Sequence, residues 1–545
     1  MKALKKSLEQ ESNFLNSHLD QELSIKTLIN FIRTLDYVYI ANYPDKQKWD
    51  MLMNYGFPII LNRAYQKIDL NVDFIPLFKT TQIGIDYCFN NLKAYGHYRF
   101  VERYLEMAYY GLVDVLEIKE NEFVVEFDQA AGIADGYELM KIGDYFETVK
   151  KAIGLKIEQL NFRERKIQKQ FYKKIFLGKN NFIGYDTNPE IDNFYSQKGY
   201  IRLVTSQLFD DFDESFEFGG IPYKQFLDIV SDLMGVTLKH VDACVFLYQN
   251  KNVDLIDLLP TCYILEDIID QYAIFLNIPI DNVRKIFDLL TISPDNIIFH
   301  LKSDKSFSPP FIKIGNKYVI RSIKGCLHHP VMFLHKALSE KYSADYSRGL
   351  NNREDTFRKN LYSLFEDGRI VKIDRSIRIK MKSAGIETDI DAILFDTKTK
   401  NLALIQLKWQ DKYSTDLKER NSRADNFYKK ANEWVDKIEK WKELNTDKQI
   451  LNALGIKGSK FNQCYIFVIG RYNTHFYGKE MDERATWGSW YHIFDLSYKI
   501  KTDFDDPIRE LKFKLEIDSP RKKRMSIPSE ESQLYTFKIK SQQRK

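Results

Sequence analysis

The sequence predicts a multidomain protein with a mainly α-helical N-terminal region and a C-terminal three-layer α/β domain. Three observations predict it. At 545 residues the chain exceeds what one hydrophobic core organises, so about two to four domains are expected. Up to about residue 300 the apolar residues recur at helical spacing, as in Ile25, Leu28, Ile32 and Leu35. From about residue 350 the pattern becomes helix, strands, long helix and strand, with apolar residues on both faces of the strands.

The elements follow in chain order. Helical periodicity predicts helices over SIKTLINFIRTLDYVYI, HYRFVERYLEMAYYGLVDVLE and DYFETVKKAIGLKIEQLNFRERKIQKQFYKKIF, which make residues 1–175 a helical domain. A loop-rich passage at 178–200 opens a second helical region, 176–305, with helices over YKQFLDIVSDLMGVTLKHVDACVFLYQ and DLIDLLPTCYILEDIIDQYAIFLN. The segment KSDKSFSPP (302–310) reads as a linker. Residues 306–349 are expected to hold a connecting hairpin turning at Gly315-Asn316, the helix VMFLHKALSEKY, and a loop near 347–349. The α/β domain spans 350–510, starting with the amphipathic helix NREDTFRKNLYSLFEDG, in which Phe357, Leu361, Leu364 and Phe365 share a side. Residues 511–545 read as a basic C-terminal tail containing RKKR.

Composition narrows the function classes. The five cysteines are scattered with no CxxC pair, which fits reduced intracellular thiols rather than a disulfide frame or a zinc ribbon. The first residues lack the apolar core of a signal peptide, and no run has the length of a membrane-spanning helix. A cytoplasmic protein without membrane contact is expected. Residues 345–545 carry 41 Lys and Arg against 31 Asp and Glu, a balance of +10, whereas residues 1–344 balance at −5. A basic C-terminal part suits a polyanion partner, although the tail supplies some of the excess. Cys326, His328, His329 and His335 form the one dense Cys/His patch, without the second ligand pair that zinc needs. GIKGSK (455–460) lacks phosphate-loop spacing and reads as a turn.

The stretch DIDAILFDTKTKNLALIQLKWQ (389–410) carries the chemistry. It reads as two buried strands joined by a turn at 396–401, yet polar groups sit at its open end. Side chains alternate along a strand, so Leu402, Leu404, Gln406 and Lys408 share one face. Asp389, Asp391, Ile393 and Phe395 share a face of the partner strand, and antiparallel pairing brings Asp391 near Gln406 and Lys408. A carboxylate and an amide oxygen suit a hard divalent cation, which keeps water and phosphate oxygens in its other positions. An ammonium on the same face can orient or deprotonate a water and offset charge in phosphodiester hydrolysis. Asp389, on the same face, is a second metal ligand, the true ligand in place of Asp391, or a solvated strand start.

Asp391, fourteen intervening residues, then Gln406-Leu407-Lys408 resembles the PD-(D/E)xK nuclease superfamily, in its Mrr-like branch with a Gln-x-Lys motif. The resemblance covers about residues 350–475. It implies a restriction-endonuclease-like fold, a mixed central sheet flanked by helices, and Mg²⁺-dependent cleavage of DNA with Mn²⁺ as a substitute ion. It further implies Asp391 and Gln406 as metal ligands, Lys408 as the residue positioning water, and a Glu from the preceding helix. Glu354 is the candidate for that last position, ahead of Asp355 and Glu366. Helix residues after the motif touch DNA in the family, which points to Arg423, Asn426 and Lys430, whose alternative is a solvated helix face. Restriction or anti-phage defence is the family context. The N-terminal region would then recognise a target, regulate the nuclease, or build a homo-oligomer or a complex with a partner protein. Two other readings stay open: a catalytically inactive nucleic-acid-binding or scaffold protein, and a nuclease acting on RNA.

Overall fold

The computed structural model describes residues 1–41, 46–76, 78–127, 131–178, 182–302, 308–351, 353–365, 368–409, 417–476, 479–500, 505–520 and 530–543. It is a mixed α/β protein, with long helices and several small sheets. The first four helices, Lys2–Glu22, Ile25–Ile40, Lys46–Lys67 and Gln82–Tyr109, bury Leu28, Phe31, Ile32, Phe57, Ile60 and Leu92 in a common core. The third and fourth cross at Gly56 and Gly96. A Cβ on Gly96 would stand 2.1 Å from the Leu52 carbonyl oxygen, so only glycine admits this backbone-to-backbone approach. A second core surrounds the helix Tyr223–Asn250, whose Phe226, Ile229, Val230, Leu233 and Met234 are all buried.

The two cores meet at a buried cap. Asp36, on the second helix, accepts hydrogen bonds from Ser322 Oγ at 2.8 Å, Ile323 N at 2.9 Å and Lys324 N at 2.9 Å. These donors open the short helix Ile323–Leu327, whose first N–H groups lack intrahelical partners. Burial pushes the Asp36 carboxyl up to about 6, while the three donors draw it down.

In the C-terminal part, five strands form one sheet in the order Ile370–Lys372, Ala392–Asp396, Asn401–Lys408, Gln463–Gly470, Thr486–Ser489. The first three are antiparallel and the last three parallel. The expected turn between the two central strands is present, with Asp396 accepting from Lys398 N and Thr399 Oγ1 at 2.9 Å and Lys400 at φ 59°. Both faces of the sheet are covered, which explains why its strands read as continuous apolar runs. Ile393, Phe395, Leu402 and Leu404 pack on the long helix Leu417–Glu443 through Phe427, Trp434, Val435 and Ile438. Ala392, Leu394, Ala403, Ile405 and Leu407 pack on the other side with Phe357 and Leu361 of the helix Arg353–Ser363 and with Trp490, Tyr491 and Leu511.

Several expectations are corrected. Residues 97–117 are not one helix: the chain leaves the helix at Tyr109, turns through Gly111 at φ 69°, and forms the strand Val113–Lys119. That strand pairs with Glu122–Phe127, which pairs in parallel with Lys538–Gln543. The end of the expected basic tail is therefore part of a four-stranded sheet, and the helix Pro507–Ile517 packs on the C-terminal core. RKKR lies outside the described residues. The 306–349 hairpin is no detached connector, because its strands Phe311–Lys313 and Tyr318–Arg321 pair with Thr291–Ile292 and Thr261–Ile264 of the N-terminal part. The passage 178–200 contains the strand Ile183–Tyr185 and most of the helix Pro189–Ser206, capped by Asn188. The expected loop near 347–349 is inside the helix Ser343–Asn351.

Candidate active site

Asp391 occupies the bend where the chain leaves one sheet and enters another. Residues Ile386–Ile390 pair with Ile377–Met381 in a separate two-stranded hairpin, and Ala392–Asp396 belongs to the five-stranded sheet. Asp389 and Asp391 thus do not share one continuous strand, a difference from the parity expected along a single strand. The bend is held from both sides. Arg358, on the helix Arg353–Ser363, donates its Nε–H to the Asp391 carbonyl and its Nη2–H to Ser376 Oγ at 2.8 Å. Tyr362, one turn on, accepts from Ile393 N at 2.9 Å. From the long helix, Trp434 donates to the Asp389 carbonyl at 2.6 Å.

Asp391 is 1 % exposed and Gln406 3 % exposed. Gln406 Nε2 donates to Asp391 Oδ2, and Leu407 N donates to the same oxygen at 2.8 Å. Among the described residues, Gln406 Oε1 accepts no hydrogen bond. Lys408 ends the same strand, half-buried, two residues beyond Gln406. Glu354 and Asp389 are exposed. None of Lys408, Glu354 and Asp389 forms a side-chain ion pair with a described residue, yet all three act on Asp391. Burial pushes the Asp391 carboxyl up to about 7, with Glu354 and Asp389 adding to the rise and the Lys408 ammonium and Leu407 N–H opposing it. The structure therefore brings Asp391, Gln406, Lys408, Glu354 and Asp389 into one neighbourhood at the open end of the hairpin.

The other candidates separate. Asp355 is committed to Arg358, at 2.7 Å. Glu366 lies outside the described residues. Arg423, Asn426 and Lys430 are exposed on the long helix, beside the side that buries Ala424, Phe427 and Ala431, and Arg423 meets Glu419 at 3.5 Å. In the Cys/His patch, Cys326 is in the core and His335 Nε2 bonds Tyr223 Oη at 2.5 Å. GIKGSK follows a helix end through Gly455 at φ 71°.

The candidate ligands at the bend are all oxygen, and Asp389, Glu354 and Lys408 act on the Asp391 charge from around it. A hard divalent cation suits that balance. Among the described residues no three His, Cys, Asp or Glu side chains converge closely enough to hold a metal by themselves. The protein ligands available are thus Asp391 and the Gln406 oxygen, with Asp389 and Glu354 at a distance. Sequence reasoning missed Arg358 and Tyr362, which fix the backbone around Asp391. Their helical spacing of i and i+4, on the face that also carries Phe357 and Leu361, was the available signal. No family model, no curated protein and no solved structure matches the chain.

Proposed function

We propose that the protein is a metal-dependent endonuclease that hydrolyses phosphodiester bonds of DNA at the hairpin end. The observation that carries this reading is the hydrogen bond from Gln406 to the buried Asp391 carboxylate, with Lys408 following on the same strand face. A buried acid whose charge is opposed by desolvation is a costly feature for a sheet to keep without a use. The mixed five-stranded sheet with helices on both sides supports the nuclease-like architecture, and the basic balance of residues 345–545 supports a nucleic-acid partner.

Asp391 and Gln406 Oε1 would hold a Mg²⁺ or Mn²⁺ ion, which would supply Lewis-acid stabilisation of charge on the phosphate. Gln406 and Leu407 orient the Asp391 carboxylate through its Oδ2, and Oδ1 would be the oxygen offered to a cation. Lys408 Nζ orients the attacking water and offsets negative charge near the scissile bond. Glu354 contributes a second negative group on the solvent side, where it retains water. Arg423, Asn426 and Lys430 lie on an exposed helix side that suits contact with the phosphate backbone. We assign recognition, regulation or oligomerisation to the N-terminal region, and restriction or anti-phage defence as the setting.

The test is cleavage of plasmid DNA and of RNA by wild type, Asp391→Ala and Lys408→Ala, with Mg²⁺, Mn²⁺ or a chelator. Cleavage by wild type alone, abolished by chelation, supports the reading. Equal cleavage by all three proteins removes the site assignment. Binding without cleavage in wild type points instead to an inactive nucleic-acid-binding protein, and cleavage of RNA alone to a ribonuclease.

A further inference from the structure

Three residues adjoining the site in sequence also meet in space. Arg353 precedes Glu354, Trp409 follows Lys408, and Arg471 follows the strand that runs parallel beside Lys408. The Arg471 main-chain N–H donates to the Lys408 carbonyl at 2.9 Å. The Arg471 guanidinium carbon lies 4.8 Å from the centre of the Trp409 indole, and that of Arg353 lies 5.2 Å from the same ring. Arg471 also faces Phe357 at 5.4 Å and Trp490 at 4.9 Å. Arg353 and Arg471 are almost fully buried, at 4 % and 0 % exposure.

The cluster is closed from the N-terminal half. Asp210 forms an ion pair with Arg471 Nη2, and the Phe212 ring lies 4.7 Å from the Arg353 guanidinium. Both residues sit on the segment that follows the helix Pro189–Ser206. Nε and Nη2 of Arg353, and Nε and Nη1 of Arg471, have no hydrogen-bond partner among the described residues. Ring faces and the Asp210 carboxylate, with the buried Asp211 carboxylate also acting on Arg471, therefore balance two desolvated cations. A buried charge in that condition depends strongly on the carboxylate it is hydrogen-bonded to. The same half reaches the following loop, where Glu138 accepts from Thr474 N and His475 N at 2.9 Å.

We propose that Arg353, Trp409 and Arg471 are positioning residues that set the separation of Glu354 from Lys408. Asp210 and Phe212 close this clasp, so the N-terminal half governs the geometry of the site through them. The regulatory meaning rests on the nuclease reading above, while the mechanical coupling does not.

The test uses the full chain carrying Asp210→Asn, which keeps volume and removes charge, and Asp210→Glu, which restores charge. Hydrogen exchange of the segments 353–363 and 401–409 is measured beside that of the helix Leu417–Glu443. In Asp210→Asn, exchange in the first two segments is expected to rise about tenfold while the long helix stays as in wild type. DNA cleavage by the same variant is expected to lose about tenfold in kcat with KM unchanged. Asp210→Glu recovers most of both. Unchanged exchange in the two segments overturns the clasp, and so does a uniform rise along the whole chain. If Asp210→Asn does not fold, Phe212→Leu, which trims the ring beneath Arg353, is read by the same criteria. Wild type that cuts neither DNA nor RNA defeats the nuclease reading, and the exchange pattern then decides the coupling alone.

Discussion

Gln406 donates its side-chain N–H to Asp391 across the hairpin, inside a sheet where the surrounding side chains are apolar. An amide at this position neither repels the carboxylate nor neutralises it. It fixes one oxygen, and the Lys408 ammonium is the protein cation that acts on the carboxylate.

That relationship predicts the behaviour of Gln406→Glu. Two carboxylates forced together without a cation cost about 1–3 kcal/mol, because one of them must take up a proton or suffer repulsion. Thermal unfolding in chelator should show Gln406→Glu less stable than wild type, and millimolar Mg²⁺ should restore more of its Tm than it adds to wild type. No difference in the Mg²⁺ response would remove Gln406 from the cation site.

Asp391 predicts a pH dependence with a definite sign. Its folded-state carboxyl is raised to about 7 from the ordinary 3.8, so the native state holds the proton longer than the unfolded chain. Stability contributed by this group is therefore lost as pH rises from about 4 through about 7, with a slope of up to about 1.4 kcal/mol for each step of one in pH. Asp391→Asn avoids the loss. Its Tm should exceed that of wild type at pH 8, and the margin should vanish near pH 4. Mn²⁺ affinity of wild type, followed by titration, should climb with pH below about 7 and level off above it, since proton and cation compete for one carboxylate.

Lys408→Met predicts a split between chemistry and folding. The ammonium is half-buried and has no ion-pair partner among the described residues, so its loss should change Tm little. Cleavage should fall about 10²–10³-fold, the usual cost of removing one group that stabilises transition-state charge. A variant retaining full activity would show that the strand-end lysine only reaches for solvent.

Asp36→Ala tests the N-terminal architecture separately from the site. It strands the Ser322, Ile323 and Lys324 donors in a buried location, and each unsatisfied group costs about 1–3 kcal/mol. Chemical denaturation should place its midpoint well below that of wild type, with cation binding at Asp391 unaffected until unfolding begins.

The strand geometry around the candidate site was more legible in the sequence than the fold of the first half. Strand parity alone put Gln406 and Lys408 on one face, and the two packed faces of the sheet agree with that alternation. What parity could not reveal was the bend at Asp391, since it depends on Arg358 and Tyr362 from a helix some thirty residues earlier. In the N-terminal half, local period misled where a distant partner decides. Residues 113–119 have enough apolar character to continue a helix, but Gly111 ends the helix and strand Glu122–Phe127 is completed by residues from the far end of the chain. Arg353 and Arg471 carried no periodic signal, because aromatic rings from separate segments give them their place.

The pairing of Glu122–Phe127 with Lys538–Gln543 also bears on how the molecule is made. Gln542 bonds Glu126 across 416 residues of sequence, so a growing chain presents a bare strand edge from its hairpin while those intervening residues are made. Such an edge invites pairing with neighbouring nascent chains. Synthesis on crowded polysomes should therefore be the stage at which this protein is most vulnerable to aggregation, and slowing elongation should worsen the yield of folded material.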